Sequence, residues 1–377
     1  MRTGESVLGE ADLALIHALQ ITPRASWTQL SAVLGASPDT LARRWEHLTS
    51  GGYAWASLLP RTPGPGGPLH AWVEVDCAGG RSEETAAELA GDGCTLGVHQ
   101  VTGDADLLLL VLCPDLHALD AYLSRRVQRL PGVIRSRTQV VTGVHSARNL
   151  WRLDQLTPGQ VQQLTEAAGP ASGGPGARRA RPRPLGGLDE ALVRELAGDA
   201  RRSAAELART CGVSESTVRR RLDALVNGGA LVHHCVPAPR FSGRPVWALI
   251  KADVPPLDVT PTATALSRLR QTRLVTSVTG GHNLTVGAWL RSVGELHDIT
   301  TGMERAAPSI RIIGTVLSLR IHKAGAQVLG PDGRRTHHVR PAVGAAEECR
   351  THAVPPTAGA DGPGTHHGPP PAEAKRP

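Results

Sequence analysis

The feature that most constrains this chain is a repeat: the sequence returns to itself after 177 residues. Asp12, Leu19, Arg24, Ser26 and Leu30 recur as Asp189, Leu196, Arg201, Ser203 and Leu207. Gly35, Ser37, Thr40, Arg43 and Arg44 recur as Gly212, Ser214, Thr217, Arg220 and Arg221. Over residues 12–52, 15 of 41 positions are identical to their counterparts, well beyond what composition gives. The register then holds without a gap, through Pro68 and Pro245, Thr102-Gly103 and Thr279-Gly280, to His145 and His322. A chain of 377 residues with such a period folds as two copies of one architecture.

Each copy opens with helical spacing. Asp12 and Asp189 are predicted helix starts ahead of Leu15, Ile16, Leu19 and Leu192, Val193, Leu196. A second helix ends at Gly35 or Gly212, glycine being the usual C-terminal cap. The chain restarts at Ser37 or Ser214, good N-caps, with Pro38 at the favoured first helical position. Leu41, Trp45 and Leu48, or Val218, Leu222 and Leu225, then form an inward stripe. Helix, tight turn and helix is the layout of a helix-turn-helix, whose second helix enters the major groove. Such domains are predicted at 8–60 and 185–237. The residues predicted to face DNA are Ser37, Asp39, Thr40, Arg43 and Arg44, with Ser214, Ser216, Thr217, Arg219, Arg220 and Arg221. Arginine suits the task, because its guanidinium pairs both guanine and phosphate. Arg43, Arg44, Arg220 and Arg221 are the main candidates, with one of each pair able to brace its helix from behind. The competing reading, a solvated face paired with nearby acids, loses weight because turn, cap and arginine pair all occur twice. The net charge of +7 permits an acidic partner without establishing one, since within each head the charges balance.

The second part of each copy has another rhythm. Apolar runs at 69–76, 97–102, 106–112 and 133–145 read as strands, with helices at 82–91 and 115–130. The second copy follows as 246–253, 260–270, 274–279, 284–290, 292–306 and 310–322. This βαββαβ order predicts a ferredoxin-like α+β sandwich at 66–150 and again at 243–325. The fold class is therefore α+β, two winged or helix-turn-helix domains each followed by a ferredoxin-like domain. Between the copies, 157–187 is rich in Gly, Pro and Ser and reads as linker, with a short helix at 157–168. Its arginine run at 178–183 could lie along phosphates, as basic arms do. Residues 326–377 read as a disordered tail.

These segments resemble the Lrp/AsnC family, the leucine-responsive or feast/famine transcription regulators. The carriers are PRASWTQLSAVLGASPDTLARRWEHL and RRSAAELARTCGVSESTVRRRLDAL. To these add VTGDADLLL with LPGVIRSRTQVVTGV, and VTGGHNLTV with APSIRIIGTVLSLRI. The resemblance implies binding of double-stranded DNA by the heads, and dimerisation and small-molecule sensing by the second domains. Effectors in the family are typically amino acids, bound between subunits near the turn after the Thr-Gly pair. Here those positions are Thr102, Gly103, Asp104 and Asp106, with Thr279, Gly280, Gly281 and Asn283 as counterparts. Asn283 departs from the usual Asp, so a charge facing an ammonium group is missing from that turn. Family members act as dimers, so a duplicated chain is expected to pair its two copies internally, with further homo-oligomerisation open. The heads differ, Ala42 in one being Arg219 in the other, which points to reading of an asymmetric operator.

Other classes find less support. Leu107–Cys113 is too short to span a bilayer, and the six cysteines form no CxxC pair, the pattern of a reduced cytoplasmic protein. His233, His234 and Cys235 lack metal-ligand spacing, so neither metal nor cofactor is predicted. An enzymatic alternative exists among the family's relatives, the sirohaem decarboxylases, with His99, His145, His282 and His322 as candidate groups. Those enzymes carry an aromatic-rich WPYNL-like stretch where this chain has Gly281-His282-Asn283-Leu284, and one Phe and two Tyr leave little to surround a macrocycle. No catalytic residue is predicted. A partner-binding module with inactive heads is the third alternative.

Overall fold

The computed structural model describes residues 8–60, 68–147, 153–168, 186–228 and 231–342. The first copy runs α1 (Glu10–Ile21), α2 (Trp27–Leu34), α3 (Pro38–Ser50), β1 (Ala54–Pro60), β2 (Leu69–Cys77), α4 (Ser82–Ala90), β3 (Thr95–Val101), β4 (Leu107–Cys113), α5 (Leu116–Arg125), β5 (Val133–Ala147) and α6 (Pro158–Ala168). The second runs α7 (Gly187–Gly198), α8 (Ala204–Cys211), α9 (Glu215–Asn227), β6 (Leu231–Pro237), β7 (Val246–Asp253), α10 (Val259–Leu266), β8 (Thr272–Val278), β9 (Leu284–Leu290), α11 (Glu295–Ala306), β10 (Arg311–Ala324), β11 (Gln327–Leu329) and β12 (Arg335–His338). None of the described helices is long and apolar enough to cross a membrane.

Local chemistry sets the helix ends. Gly35 and Gly212 take the left-handed conformation, φ +70° and +66°, which turns the chain sharply between the second and third helices of each head. Ser37 Oγ then accepts from the Thr40 amide at 3.2 Å, and Ser214 Oγ from the Thr217 amide at 3.2 Å. Asp12 and Asp189 are not the helix caps that the sequence suggested. They sit three residues inside, each reaching back to the cap amide, Gly9 at 3.0 Å and Gly186 at 3.1 Å.

The two heads share one core and one sheet. Leu15, Leu19, Leu30 and Leu48 pack in the same cluster as Leu192, Leu196, Leu207 and Val218. Strand β1 pairs antiparallel with β6, and Ser57 lies opposite His234, its own counterpart 177 residues on, so a local two-fold axis passes between them. The copies also hold each other through arginines. Arg24 donates to the carbonyls of Ala200 and Arg202, and Arg201 donates to those of Pro23 (2.6 Å) and Ala25 (2.9 Å).

The ferredoxin-like halves close on each other. Strands order as β3-β4-β2-β5 in one copy and β10-β7-β9-β8 in the other. The long strands do the joining: β5 pairs with β2 up to Val140, then crosses to β8 of the second copy from Val141. Strand β10 does the reverse, pairing with β7 and then with β3, so eight strands form a closed ring. Helices α4 and α5 cover one outer face and α10 and α11 the other. Between the inner faces, Trp72, Leu108, Trp247, Leu249, Val278 and Val316 form a core common to both copies.

The tail is ordered further than its composition suggested. Residues 326–342 form the β11–β12 hairpin and fold back across both copies. Buried Gln327 donates to Ser57 Oγ and the Ala197 carbonyl, and the Arg335 and Ala342 amides donate to the Gly52 and Gly93 carbonyls. Backbone groups that find partners in this way need no Val/Ile-rich pattern to stay folded. Residues 343–377 lie outside the described residues, as does the arginine run at 178–183. The short helix expected at 157–168 is α6, which packs on α1 and α2.

Candidate nucleic-acid interface and effector turns

Helices α3 and α9 present unequal arginines. Arg44 lies three residues after Leu41 and four before Leu48, beside the buried stripe, so its guanidinium turns back toward α1. It meets Asp12 at 2.7 Å, and Arg221 meets Asp189 at 2.7 Å. These two arginines therefore brace α3 and α9 against the first helix of each head, as expected for one member of each arginine pair. The signal was present in sequence, because Asp12 and Arg44 recur together as Asp189 and Arg221. Arg43 and Arg220 point to solvent, and neither has a hydrogen bond or ion pair among the described residues. Arg219 forms a surface pair with Glu215 at 3.1 Å, one turn earlier on its helix.

The hydroxyls at the helix starts are joined to the caps. Thr40 Oγ1 lies 2.8 Å from Ser37 Oγ, and Ser216 and Thr217 each place a hydroxyl 2.9 Å from Ser214 Oγ. Exposed Asp39 and Ser216 stand at the same repeat position in the first turns of α3 and α9. Each head thus offers a helix N-terminus, whose amides and dipole favour an anion, with one unengaged arginine a turn further on.

The turns after the Thr-Gly pairs tie the two copies together. The Thr102 amide and hydroxyl both bond Leu317 of β10, and those of Thr279 both bond Val140 of β5, so the two threonines fasten one copy to the other. Asp106 accepts from the Cys77 amide at 2.7 Å, and Asn283 accepts from the Val254 amide at 3.0 Å. The amide of Asn283 also donates to the Val254 carbonyl at 2.7 Å, a bond no carboxylate makes, which accounts for Asn where its counterpart is Asp. All four side chains are thus committed to the backbone. Gly103 and Gly280 adopt φ +99° and +112°, conformations that favour glycine, and with Asp104 and Gly281 they form the exposed part of the turns.

Charged residues that sequence reasoning passed over gather beside these turns. Arg137 donates to Glu74 at 3.1 Å, to Asp76 at 2.9 and 3.0 Å, and to the Asp104 carbonyl at 3.1 Å. Lys251 pairs with Glu74 across the two-fold. Burial opposes ionisation of Glu74, yet Lys251 and Arg137 hold its carboxyl below the ordinary range. The signal for this pair was an acid and a base at the same repeat position. His282 packs its Nδ1 3.4 Å from Gln139, and His145 its Nε2 3.1 Å from Ser277 Oγ. Among the described residues no three His, Cys, Asp or Glu side chains gather as a metal site.

The AsnC-type helix-turn-helix domain matches residues 8–49 and 187–226, and the Lrp/AsnC ligand binding domain matches residues 70–150. An uncharacterized HTH-type transcriptional regulator of Pyrococcus furiosus is 32% identical over 112 residues, 29% of this chain and 76% of the relative. An HTH-type transcriptional regulator of Methanocaldococcus jannaschii is 29% identical over 144 residues, 37% of this chain and 96% of the relative. Each relative therefore matches about one copy. The solved structure of the siroheme decarboxylase NirDL is similar over 84% of this chain and 93% of its own, with a TM-score of 0.52 and 15% identity, a likeness of fold that spans both copies. Two helix-turn-helix heads and a ligand-binding domain of this kind make the chain a tandemly duplicated member of the Lrp/AsnC family of DNA-binding transcription regulators.

Proposed function

We propose that one polypeptide acts as a covalent pseudo-dimer that reads an operator with two unlike half-sites, under the control of a small-molecule effector such as an amino acid. What carries this reading is the pair of recognition helices held on one two-fold axis by β1 and β6, with different residues outward. Arg43 reads the first half-site beside Asp39. Arg220 reads the second beside Ser216, with Arg219 on phosphate. A two-fold pair of heads demands half-sites about one helical turn apart or a multiple of it. Selection of sites from random DNA by the purified chain, at stated salt, tests the proposal. Two unlike half-sites at helical spacing are expected. Identical half-sites would refute asymmetric reading, and no enrichment would favour heads kept only for their fold.

The effector is placed at the turns carrying Gly103, Asp104, Gly280 and Gly281, flanked by Arg137 and His282. Thr102, Asp106, Thr279 and Asn283 shape those turns rather than touch the ligand. We favour regulation over catalysis. His145 and His282 are engaged with neighbouring side chains, and His99 stacks on Trp247 at 4.4 Å, so these groups serve packing. Haem-like absorbance retained after incubation with sirohaem and gel filtration would overturn that preference.

A further inference from the structure

Between the first reading head and the second ferredoxin-like domain lies a cavity of about 1030 Å³, of the size that takes a metabolite. One wall is His17 of α1 with the chain from Asp154 into α6. The other is Arg244, Arg270, Thr272 and Arg291, which precede β7, open β8 and follow β9. They stand at the end of the second sheet opposite its effector turn, since β8 and β9 run from here to the turn and back.

Three guanidinium groups from separate elements converge on this wall. The Arg244 side chain is only 12% exposed, and its ion-pair partner, Glu295, stands 3.8 Å away, too far for a hydrogen bond. Glu295 is also 3.9 Å from Arg291, so one carboxylate serves two cations loosely. Burial, together with neighbouring Arg291 and Arg270, pushes the pKa of Arg244 down. The acids of the facing wall are engaged, Asp154 with Arg270 and Glu166 with Gln162. Thr272 is 2% exposed, and its hydroxyl has no hydrogen-bond partner among the described residues. Buried hydroxyls are rarely left so.

The repeat supplies an internal control. One copy earlier, the positions of the three arginines hold Gly67, Gly93 and Pro114. Thr95, the counterpart of Thr272, donates to the Leu89 and Asp92 carbonyls and receives a bond from Lys323. The Gly93 carbonyl there is taken by the amide of Ala342. The first sheet end is thus closed by its own chain, whereas the second is left open and lined with arginine.

We propose that this cavity binds a small polyanion, its carboxylate or phosphate groups held by Arg244, Arg270 and Arg291 and hydrogen-bonded by Thr272. A ligand there ties the first head and α6 to the second sensor domain, and its three arginines are not repeated in the first copy. Control through it therefore acts on one half-site.

Calorimetric titration of the full chain with pyrophosphate, and separately with citrate, at fixed ionic strength tests the site. Saturable binding of one equivalent is expected. Loss of a charged hydrogen-bond donor in Arg291→Ala should weaken it about tenfold. Thr272→Val should weaken it by about threefold, while Thr272→Ser binds like the wild type. Arg291 is largely exposed, so its variant tests the site without unfolding the domain, and circular dichroism checks this. Binding of pyrophosphate alone assigns a phosphate ligand, and binding of citrate alone assigns a polycarboxylate. No binding of either, or equal binding by wild type and variants, overturns the proposal. So does uniformly weaker binding of every DNA sequence by Arg291→Ala with no anion effect, which would give the arginines to DNA phosphates. The titration uses no DNA, so its failure leaves the half-site reading untouched.

Discussion

Arg43 and Arg44 are neighbours in the chain but differ in surroundings, Arg43 exposed and Arg44 paired with Asp12. Removing Arg44 takes a donor from Asp12, which would keep only the Gly9 amide. The pair is partly exposed, so Arg44→Ala is expected to lower stability by about 1 kcal/mol without changing which bases are preferred. Arg43→Ala should leave the melting temperature nearly unchanged and weaken specific binding by about 1–3 kcal/mol, with relaxed selectivity at one position. Thermal unfolding and binding to a panel of operator variants separate the two effects. Selectivity lost in Arg44→Ala at an unaltered melting temperature would reverse the assignment. Arg221 and Arg220 form the parallel pair. Helical periodicity placed both arginines near the outer face, but a difference of one residue turns a side chain by about 100°, and only the position of α1 decides which one finds a carboxylate.

At the scale of elements, strands were legible and their partners were not. The alternation in 133–145 predicts a strand, yet nothing local says that β5 leaves β2 at Val140 and continues on β8 of the other copy. The same holds for Arg24 and Arg201, whose equivalent positions announce a shared role without saying that each reaches into the other copy. Burial pushes both guanidinium groups below their ordinary pKa, and each is compensated by two carbonyl acceptors. Arg201 also lies 4.2 Å above the Trp27 ring. Replacing either by alanine leaves partly buried carbonyls short of a donor and is expected to cost about 1 kcal/mol. The loss should appear first as faster hydrogen exchange in β1 and β6, the sheet that joins the heads. Unaltered exchange there, with loosening confined to the ferredoxin-like ring, would show that the arginines do not hold the heads together.

For the whole molecule, closing the ring buries titratable groups and so gives its stability a pH dependence. Burial, reinforced by the nearby charge of His322, lowers the pKa of His99 to about 3, and burial with Arg320 lowers that of His322 to about 4. The unfolded chain takes up these protons near pH 6.5, whereas the native protein refuses them until far lower. Between those limits the unfolded state binds more protons, so stability falls as pH drops from about 6.5 toward 4. Each such histidine contributes roughly 1.4 kcal/mol per pH unit within its window. Denaturant melts across that range should show the decline, and His99→Gln should flatten it. A stability that stays level or rises on acidification would contradict the burial of these rings.

By itself, the sequence determined the duplication, the glycine and serine caps around the turn of each head, the order of strands along the chain and the family. Each of these rests on residues a few positions apart, where capping, turn conformation and periodicity act. The tertiary structure alone decided that Thr102 and Thr279 fasten one copy to the other, and that Arg44 and Arg221 meet Asp12 and Asp189. It alone folded residues 326–342 across both copies and left one sheet end open to three arginines. Those outcomes join groups such as Gln327 and Ser57, 270 residues apart, and no local pattern encodes a partner at that distance. They follow from which apolar faces must meet to close the core, and the polar groups then bond to whatever that packing brings within reach.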